Sequence, residues 1–255
     1  LRPTAFGTVM IRHARAVRAD LDRTAGEISA LSSGYVGTLR IGSIPSAVPF
    51  LVARTISRLK VAHPRLRIFV EVATSNLLTA SLAQGHLDLA LGRVLDAGSD
   101  SAFTIHGTID EDLVVCCRHD HPLRQSGEQA CWAELSRWPW VVLPSGSPMR
   151  QILSSAFRGG GAHEPENITE TASFLTVVSL LAQSDAVALL PRDVLLSPFG
   201  RPTIEALRAD HHPSMGPYTV LTRRDRDDDP SVQLFIGMLQ DTVRERAAAK
   251  DELRA

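Results

Sequence analysis

The N-terminal stretch of the chain carries a regular apolar pattern. Apolar or small residues, with one threonine, recur at alternating spacings of four and three, at Met10, Ala14, Val17, Leu21, Thr24, Ile28 and Leu31. Charged residues such as Arg15, Arg18 and Asp22 fall between them. This heptad spacing predicts a helix roughly 36 Å long whose narrow stripe pairs with a second copy of itself. The alternative is that the stripe packs on the chain's own domain. Ser32-Ser33-Gly34 predicts the end of the helix and a hinge.

From Gly37 onward the apolar pattern changes its period. Residues 38–41 form a short β-favouring run between glycines, which predicts a strand. Apolar positions then take helical spacing, and Ser46 is placed to cap that helix. Further strands are predicted over 66–72 and 87–91, with a helix between them. Residues 38–93 therefore predict a βαβαβ unit, which implies a parallel sheet with helices on its faces.

A later part of the chain repeats this plan. Strands are predicted over 140–143, 168–171 and 186–190, separated by a helix over 149–157 and by a second helix that Ser173 caps. Two separate strands over 103–109 and 113–118 connect the halves. Strands over 203–207 and 218–222 and a helix after Asp229-Pro230 complete the chain. The prediction is an α/β fold with two βαβαβ lobes around a cleft, preceded by a long helix.

Ligands of open α/β sheets bind beyond the carboxyl ends of the strands, where helix N-termini present free amides. Arg93 directly follows an apolar strand and Gly92, so we expect its guanidinium to reach the cleft and hold a carboxylate. A structural ion pair is the alternative for Arg93, and core packing is the alternative for Phe174. Arg150 is the poorer candidate cation, because it faces the positive end of a helix dipole. The candidate binding residues are Ser43, Pro45, Ser46, Ala47, Thr74, Ser75, Arg93, Ser145, Pro148, Met149, Arg150, Ser173, Phe174 and Pro191.

Composition narrows the classes of function. The chain has 255 residues, of which 44% are hydrophobic, and this suits one large globular domain or two small ones. Its net charge of −1 indicates that the chain as a whole does not bind polyanions. Cys116, Cys117 and Cys131 are odd in number and lack metal-ligand spacing, which favours a reducing cytoplasm. We find no apolar run of about 18 residues and no signal peptide, so we expect no membrane association.

Motifs of catalysis are not found in the sequence. Gly159-Gly160-Gly161 lacks the lysine of a phosphate-binding loop, and residues 144–147 do not form a nucleophile elbow. The pair His211-His212 has no third metal ligand nearby. We therefore expect no enzyme activity, no cofactor and no metal.

Several short motifs, taken together in order, resemble one family. They are Pro3–Gly7 before the heptad helix, the run Gly-Thr-Leu-Arg-Ile-Gly at 37–42, His63-Pro64 before a strand, the run Gly-His-Leu-Asp-Leu-Ala at 85–90, and the His-Pro-Leu ending of residues 119–123. In their spacing, over nearly the whole chain, they resemble the LysR-type transcriptional regulators. Members of that family carry an N-terminal winged helix-turn-helix, a linker helix and an effector-binding domain with a periplasmic-binding-protein-like fold of two Rossmann-like lobes.

The resemblance implies a division of the chain and a function. Residues 1–34 would be the end of the wing and the dimerisation helix, residues 35–112 with 217–255 the first effector-binding lobe, and residues 113–216 the second. Most of the DNA-reading element would then be absent from this chain. The family's effector cleft matches Ser46, Ala47, Thr74 and Arg93 in one lobe, and Ser145 to Arg150 with Ser173 and Phe174 in the other.

The implied protein is a cytoplasmic regulator that forms dimers or tetramers. A small-molecule effector, with organic acids as the candidate class, would bind between the lobes and alter how the N-terminal domain engages operator DNA. The alternative is a solute-binding protein of a transport system, which shares the two-lobed architecture. The heptad helix and the missing signal peptide argue against that alternative.

Overall fold

A computed structural model describes residues 37–93, 103–125, 129–210 and 213–252 and a set of positions nearer the N-terminus. That set consists of Pro3, Thr4, Phe6, Gly7, Met10, Ile11, His13, Ala14, Val17, Arg18, Leu21 and Thr24. Its members from Phe6 onward are helical, and we call them helix α1. Five of the predicted stripe positions, Met10 to Thr24, are thus helical as predicted, whereas Ile28, Leu31 and the predicted hinge at 32–34 lie outside the described residues.

The remaining elements alternate between strands and helices. The strands are β1 (Thr38–Ser43), β2 (Arg67–Val72), β3 (Leu89–Gly92), β4 (Phe103–Arg118), β5 (Trp140–Val142), β6 (Ile168–Glu170), β7 (Ala188–Pro191), β8 (Ile204–Ala206) and β9 (Ser214–Arg223). The helices are α2 (Ala53–Ala62), α3 (Ser75–Ala83), α4 (Pro122–Gln125), α5 (Trp132–Leu135), α6 (Pro148–Gly159), α7 (Phe174–Ala182), α8 (Arg192–Leu196) and α9 (Pro230–Glu252). None of the helices in the described part is long and apolar enough to span a membrane.

The chain divides into two compact units, one formed by residues 1–109 with 217–255 and the other by residues 110–216. In the first unit β1 is central and runs parallel to β2 and β3, and β9 runs antiparallel to β3. Gly42 of β1 allows α3 to approach the sheet, because a Cβ there would lie 2.5 Å from Leu87 and 2.9 Å from Leu78. Residues 38–93 therefore form the predicted βαβαβ unit.

The second unit repeats the order strand, helix, strand, helix, strand from β5 to β7. β5 runs parallel to β6, and a parallel bridge between Trp140 and Val187 joins it to the β7 segment. β7 and β8 both pair antiparallel with β4. An aromatic group anchors the core, since the Phe157 ring meets the rings of Trp132 and Trp140 edge-on at centroid distances of 5.0 and 5.1 Å.

Two local predictions were wrong. The predicted strands over 103–109 and 113–118 form the single strand β4, because the polar residues Asp110 to Asp112 interrupt the apolar pattern without a glycine or proline to break the backbone. Ser46 does not cap a helix: it lies in the 3₁₀ turn Pro45–Ala47, a π-helical turn Val48–Val52 follows, and α2 begins only at Ala53. A capping serine at 46 would accept from the amide of residue 48 or 49. Pro49 has no N–H to donate, and the Val48 N–H donates to the Pro45 carbonyl instead.

The short helices α4, α5 and α8 were not predicted from the sequence. They are 4, 4 and 5 residues long, which is too short to show a helical apolar period. The predicted domain boundaries after residues 34, 112 and 216, and the assignment of effector-binding lobes to them, stay predictions.

Candidate functional site

The three parallel strands of the first unit end at the same level. Ser43, the last residue of β1, lies opposite both Val72 of β2 and Leu91 of β3. Backbone hydrogen bonds extend this alignment by one residue, from the Ile44 amide to the Leu91 carbonyl (3.0 Å) and from the Ala73 amide to the Ser43 carbonyl (3.2 Å). The turns after the strands therefore emerge at one edge of the sheet, as expected for a ligand site of an α/β sheet.

Ser75 and Arg93 meet at this edge. The Arg93 backbone N–H donates to the Ser75 hydroxyl at 2.9 Å, which ties the residue after β3 to the first turn of α3. Thr74 precedes α3 in an extended conformation, but its hydroxyl makes no capping bond and instead donates to the Asn76 side-chain oxygen at 2.6 Å. The positive end of the α3 dipole is thus left without a side-chain cap beside the Arg93 backbone.

Strand β9 also contacts Arg93 and the residue before it. The Arg93 guanidinium lies over the ring of Tyr218, with 6.0 Å between its central carbon and the ring centroid. The Thr219 hydroxyl donates to the Gly92 carbonyl at 3.1 Å. Burial lowers the pKa of Arg93 from its usual value and Tyr218 acts in the opposite direction, and a guanidinium remains charged at neutral pH.

Tyr218 and Thr219 were missed by sequence reasoning. They reach Arg93 because Thr219 pairs with Gly92 in the antiparallel ladder between β9 and β3. The two strands are separated by more than a hundred residues, and no local spacing in the sequence indicates that pairing. The only signal was that both segments were predicted as strands.

Other predicted residues of the first unit lie inside it. Ala47 and Ser43 have no exposed surface, and Ser46 is 7% exposed. The Ser43 hydroxyl donates to the neighbouring Ile44 carbonyl at 3.0 Å. Pro45 and Thr74 are exposed, and Ser75 and Arg93 are partly exposed. Among the predicted residues of this unit, these four can present side-chain atoms to a ligand.

In the second unit, the turn after β5 is organised by its own side chains. The Ser147 hydroxyl accepts from the Arg150 amide at 3.2 Å and caps α6, whose first residue is Pro148. Met149 is buried. The Arg150 guanidinium pairs with the Glu164 carboxylate at 2.6 Å, so its charge is matched within the unit. Ser145 is exposed.

In the turns after β6 and β7, candidate side chains also cap a helix or pack against the core of the unit. Ser173 caps α7 as predicted, its hydroxyl accepting from the Thr176 amide at 3.2 Å. Phe174 packs partly buried against the unit's two apolar clusters, which supports the core alternative for its ring. Pro191 is buried at the end of β7, where it precedes α8. Several candidate residues of this unit thus have structural roles.

The two cysteines of β4 are protonated thiols at neutral pH. Cys116 and Cys117 are buried, and burial raises the pKa of Cys117 to about 12 and that of Cys116 well above its usual value. Cys131 is exposed. Among the described residues no group of three or more histidine, cysteine or acidic side chains could hold a metal ion, and His211-His212 lies outside those residues.

Two α/β units, with helix N-termini and an arginine beyond the carboxyl ends of parallel strands, define a ligand-binding domain of the periplasmic-binding-protein type. Residues 32–244 match the family model of the LysR substrate binding domain, and the chain belongs to this family. The predicted family and fold class are therefore confirmed.

Known proteins agree with this assignment. The HTH-type transcriptional regulator GbpR of Azospirillum brasilense is 31% identical over 256 residues, which cover all of this chain and 72% of GbpR. A full-length OxyR variant from Pseudomonas aeruginosa has a TM-score of 0.64 at 19% identity, over 94% of this chain and 76% of OxyR. The BenM effector binding domain with its effector benzoate has a TM-score of 0.58 at 22% identity, over 84% of this chain and 93% of that domain.

The two structural likenesses, at these low identities, show the fold alone. The family model and GbpR place the chain among transcription regulators of the LysR type, with the fold of their effector-sensing domain. The solute-binding protein of a transport system is not favoured.

Proposed function

We propose that this chain is the effector-sensing and self-associating part of a cytoplasmic LysR-type regulator without enzyme activity, and that its effector carries a carboxylate that binds at Arg93. The observation that carries the proposal is the convergence, at one sheet edge, of Arg93, Ser75 and the uncapped N-terminus of α3. A guanidinium binds a carboxylate through two parallel hydrogen bonds, and a helix N-terminus favours negative charge. A neutral sugar would gain little from either.

A relative supports this choice of ligand class. The solved effector-binding domain of BenM, which shares the fold, is described with benzoate as its effector, and benzoate is a carboxylate. We transfer only the class of ligand to this chain. An effector regulates when it binds two states of the protein with different affinities, so the bound acid would shift how the DNA-binding domain engages its operator.

Helix α1 supports the proposal of self-association. Its predicted stripe keeps large apolar side chains in solvent, with Met10 68% and Leu21 66% exposed. A heptad stripe of this kind is stabilised by a second helix. We infer that two chains pair through α1, and that dimers or tetramers carry the DNA-binding domains to the operator.

A ligand screen tests the carboxylate proposal. We would measure the thermal stability of the chain with benzoate, succinate and glucose, because a ligand at about 100 times its dissociation constant stabilises by about 2.7 kcal/mol. We expect stabilisation by at least one acid and none by glucose. Calorimetry of that acid with Arg93→Ala should then show binding weaker by about 1.5–3 kcal/mol, or roughly ten- to a hundredfold.

The matched control is Arg158→Ala, which removes a cation near the end of α6 whose side chain bonds Ser155 at 3.0 Å. It should leave the affinity unchanged. Equal affinities of Arg93→Ala and the unmodified chain would refute the role of Arg93, and stabilisation by glucose alone would refute the acidic ligand class.

A further inference from the structure

A groove of about 240 Å³ lies within the first unit, between the N-terminal half of β4, strand β9 and one face of α9. We call it the β4–α9 groove, and none of the candidate effector-binding residues lines it. Its floor consists of apolar side chains that are 5% exposed or less, namely Ile109, Val220, Ile236 and Leu239. Gly107 also lines the groove and has no side chain to fill it, since a Cβ there would meet no atom within 4 Å.

The size and the lining of the β4–α9 groove suit a molecule with a single ring. An engineered apolar cavity of about 150 Å³ holds benzene, so a volume of about 240 Å³ accommodates a ring with a substituent. The α9 residues that line the groove recur at spacings of three and four, so they form one continuous helix face along it. Burial of the ring against these apolar side chains would drive binding.

The rim of the groove offers a hydrogen-bond acceptor. The His106 Nε2 lies 2.8 Å from the Asp227 carboxylate and 2.8 Å from the Thr222 hydroxyl. Because a carboxylate only accepts hydrogen bonds, the proton of the neutral ring is assigned to Nε2, and Nδ1 is then an acceptor. None of the described residues donates a hydrogen bond to that Nδ1. A ligand with a hydroxyl group could do so.

We propose that the β4–α9 groove binds a small neutral molecule of the phenol class, whose ring lies on the apolar floor and whose hydroxyl donates to the His106 Nδ1. A carboxylate suits this groove less well, because it cannot donate and would approach a histidine that already pairs with Asp227. Arg244, the cation at the rim, is paired with Asp241 at 2.9 Å. The site is separate from the proposed effector site at Arg93 and does not depend on it.

The first measurement follows the isoleucine methyl groups of the labelled chain by NMR while phenol is added. The Ile109 and Ile236 signals are assigned by their loss in Ile109→Val and Ile236→Val. We expect the ring current of phenol to shift both signals, with saturation at a dissociation constant of about 1 mM or below. Ile168, which is exposed in β6 of the second unit, reports non-specific binding and should not move. Unmoved groove signals, or equal shifts at Ile168, would overturn the proposal.

The second measurement tests the hydrogen bond to His106. In a chain with isotope-labelled histidine, the His106 nitrogen signals are assigned by their loss in His106→Gln. We expect phenol to shift the Nδ1 signal, whereas toluene, which has the same shape and no hydroxyl, should shift the isoleucine signals alone. An Nδ1 signal that phenol leaves in place would refute the assigned role of His106.

A pair of variants on α9 shows whether the groove itself is occupied. Val243 lines the groove and is partly exposed, so Val243→Phe should fill it and weaken phenol binding about tenfold. Leu234→Phe puts the same side chain at an exposed position of α9 outside the groove and should keep the affinity within twofold. If Val243→Phe does not fold, Gln240→Trp at the exposed rim takes its place. Unchanged affinity in the filled groove would contradict the proposal.

Two further outcomes separate this site from other occupants and from the effector site. If the Ile109 and Ile236 signals change with protein concentration in the absence of phenol, a second copy of the chain occupies the groove and the proposal fails. Arg93→Ala should bind phenol as the unmodified chain does. If it does not, phenol binds at Arg93 and the proposal fails, whereas loss of acid binding alone in that variant leaves the groove site standing.

Discussion

His121 is expected to make the second unit less stable as the pH falls. Its side chain has no exposed surface, and it directly precedes α4, whose first two residues complete the His-Pro-Leu motif. The His121 Nδ1 accepts the Leu123 backbone N–H at 3.1 Å, and Nε2 lies 3.1 Å from the Asp185 carbonyl, to which it can only donate. The neutral ring with its proton on Nε2 satisfies both bonds. A second proton on Nδ1 would face the Leu123 N–H.

Burial lowers the pKa of His121 from its usual 6.5, although the Asp185 carbonyl and carboxylate partly oppose this shift. The charged groups around the ring are Arg118, Asp120 and Asp185, and Arg118 itself pairs with the Asp185 carboxylate at 2.7 Å. Because the folded pKa is below the unfolded one, the unfolded chain binds more protons at mildly acidic pH. Stability is therefore fully present above about pH 6.5 and falls as the pH drops toward the lowered pKa.

The loss of stability with falling pH is limited in size, because it comes from the binding of a single proton. A difference of one bound proton between the folded and unfolded states changes the unfolding free energy by at most about 1.4 kcal/mol per pH unit. His121→Gln removes the titration but keeps an acceptor and a donor. At pH 7.5 it should cost about 1–3 kcal/mol, since it loses the contact with the Trp138 ring at 4.7 Å and fits the two backbone bonds less well.

The assay is urea unfolding followed by tryptophan fluorescence between pH 5.5 and 7.5. All three tryptophans, Trp132, Trp138 and Trp140, lie in the second unit, so the signal reports that unit. Any pH dependence that the two proteins share cancels in the difference between their unfolding free energies. We expect a steeper loss of stability below pH 6.5 in the unmodified chain than in His121→Gln. Parallel pH curves, or an unmodified chain that gains stability on acidification relative to the variant, would refute the reasoning.

Two further predictions concern α1 and the thiols. Leu21→Lys should raise the dimer dissociation constant at least a hundredfold in sedimentation, because each buried leucine contributes about 1.5–3 kcal/mol and a dimer loses two. Ala19→Lys, which the heptad puts on the opposite face, is the control, and equal assembly of the two variants would contradict a stripe interface. With a thiol reagent, Cys131 should react rapidly in the folded chain while Cys116 and Cys117 react only on unfolding, since both are buried with raised pKa values. Rapid reaction of more than one thiol would show that β4 opens in the folded protein.

The elements that the sequence predicted well are those that local patterns determine. The βαβαβ order of residues 38–93 follows from a change of apolar period between strands and helices, and the cap at Ser173 follows from its position before an apolar run. Arg93 was chosen as a candidate because it directly follows an apolar strand, and its role in binding stays a prediction. Ser46 does not cap a helix because Pro49 has no N–H and the Val48 N–H donates to the Pro45 carbonyl.

What the sequence could not supply is pairing between distant strands. In the sequence, nothing distinguishes Tyr218 from another aromatic residue in a predicted strand. Only the alignment of β9 with β3 places it beside Arg93. The same holds for Arg150, because no local spacing in the sequence indicates its partner Glu164. Contacts of this kind depend on tertiary structure, so a single sequence gives candidate residues but not their partners.

The two units differ in the helix caps and ion pairs that follow the carboxyl ends of their parallel strands. In the second unit, Ser147 and Ser173 cap the helices that follow β5 and β6, and Glu164 matches the charge of Arg150. In the first unit, Thr74 leaves α3 uncapped, and Arg93 lies beside it on the ring of Tyr218. Helix dipole and guanidinium both favour an anion there, whereas the helices that follow β5 and β6 have serine caps at their N-termini. The acidic group of an effector is therefore expected to bind to the first unit, and substitutions there should change which class of ligand is recognised.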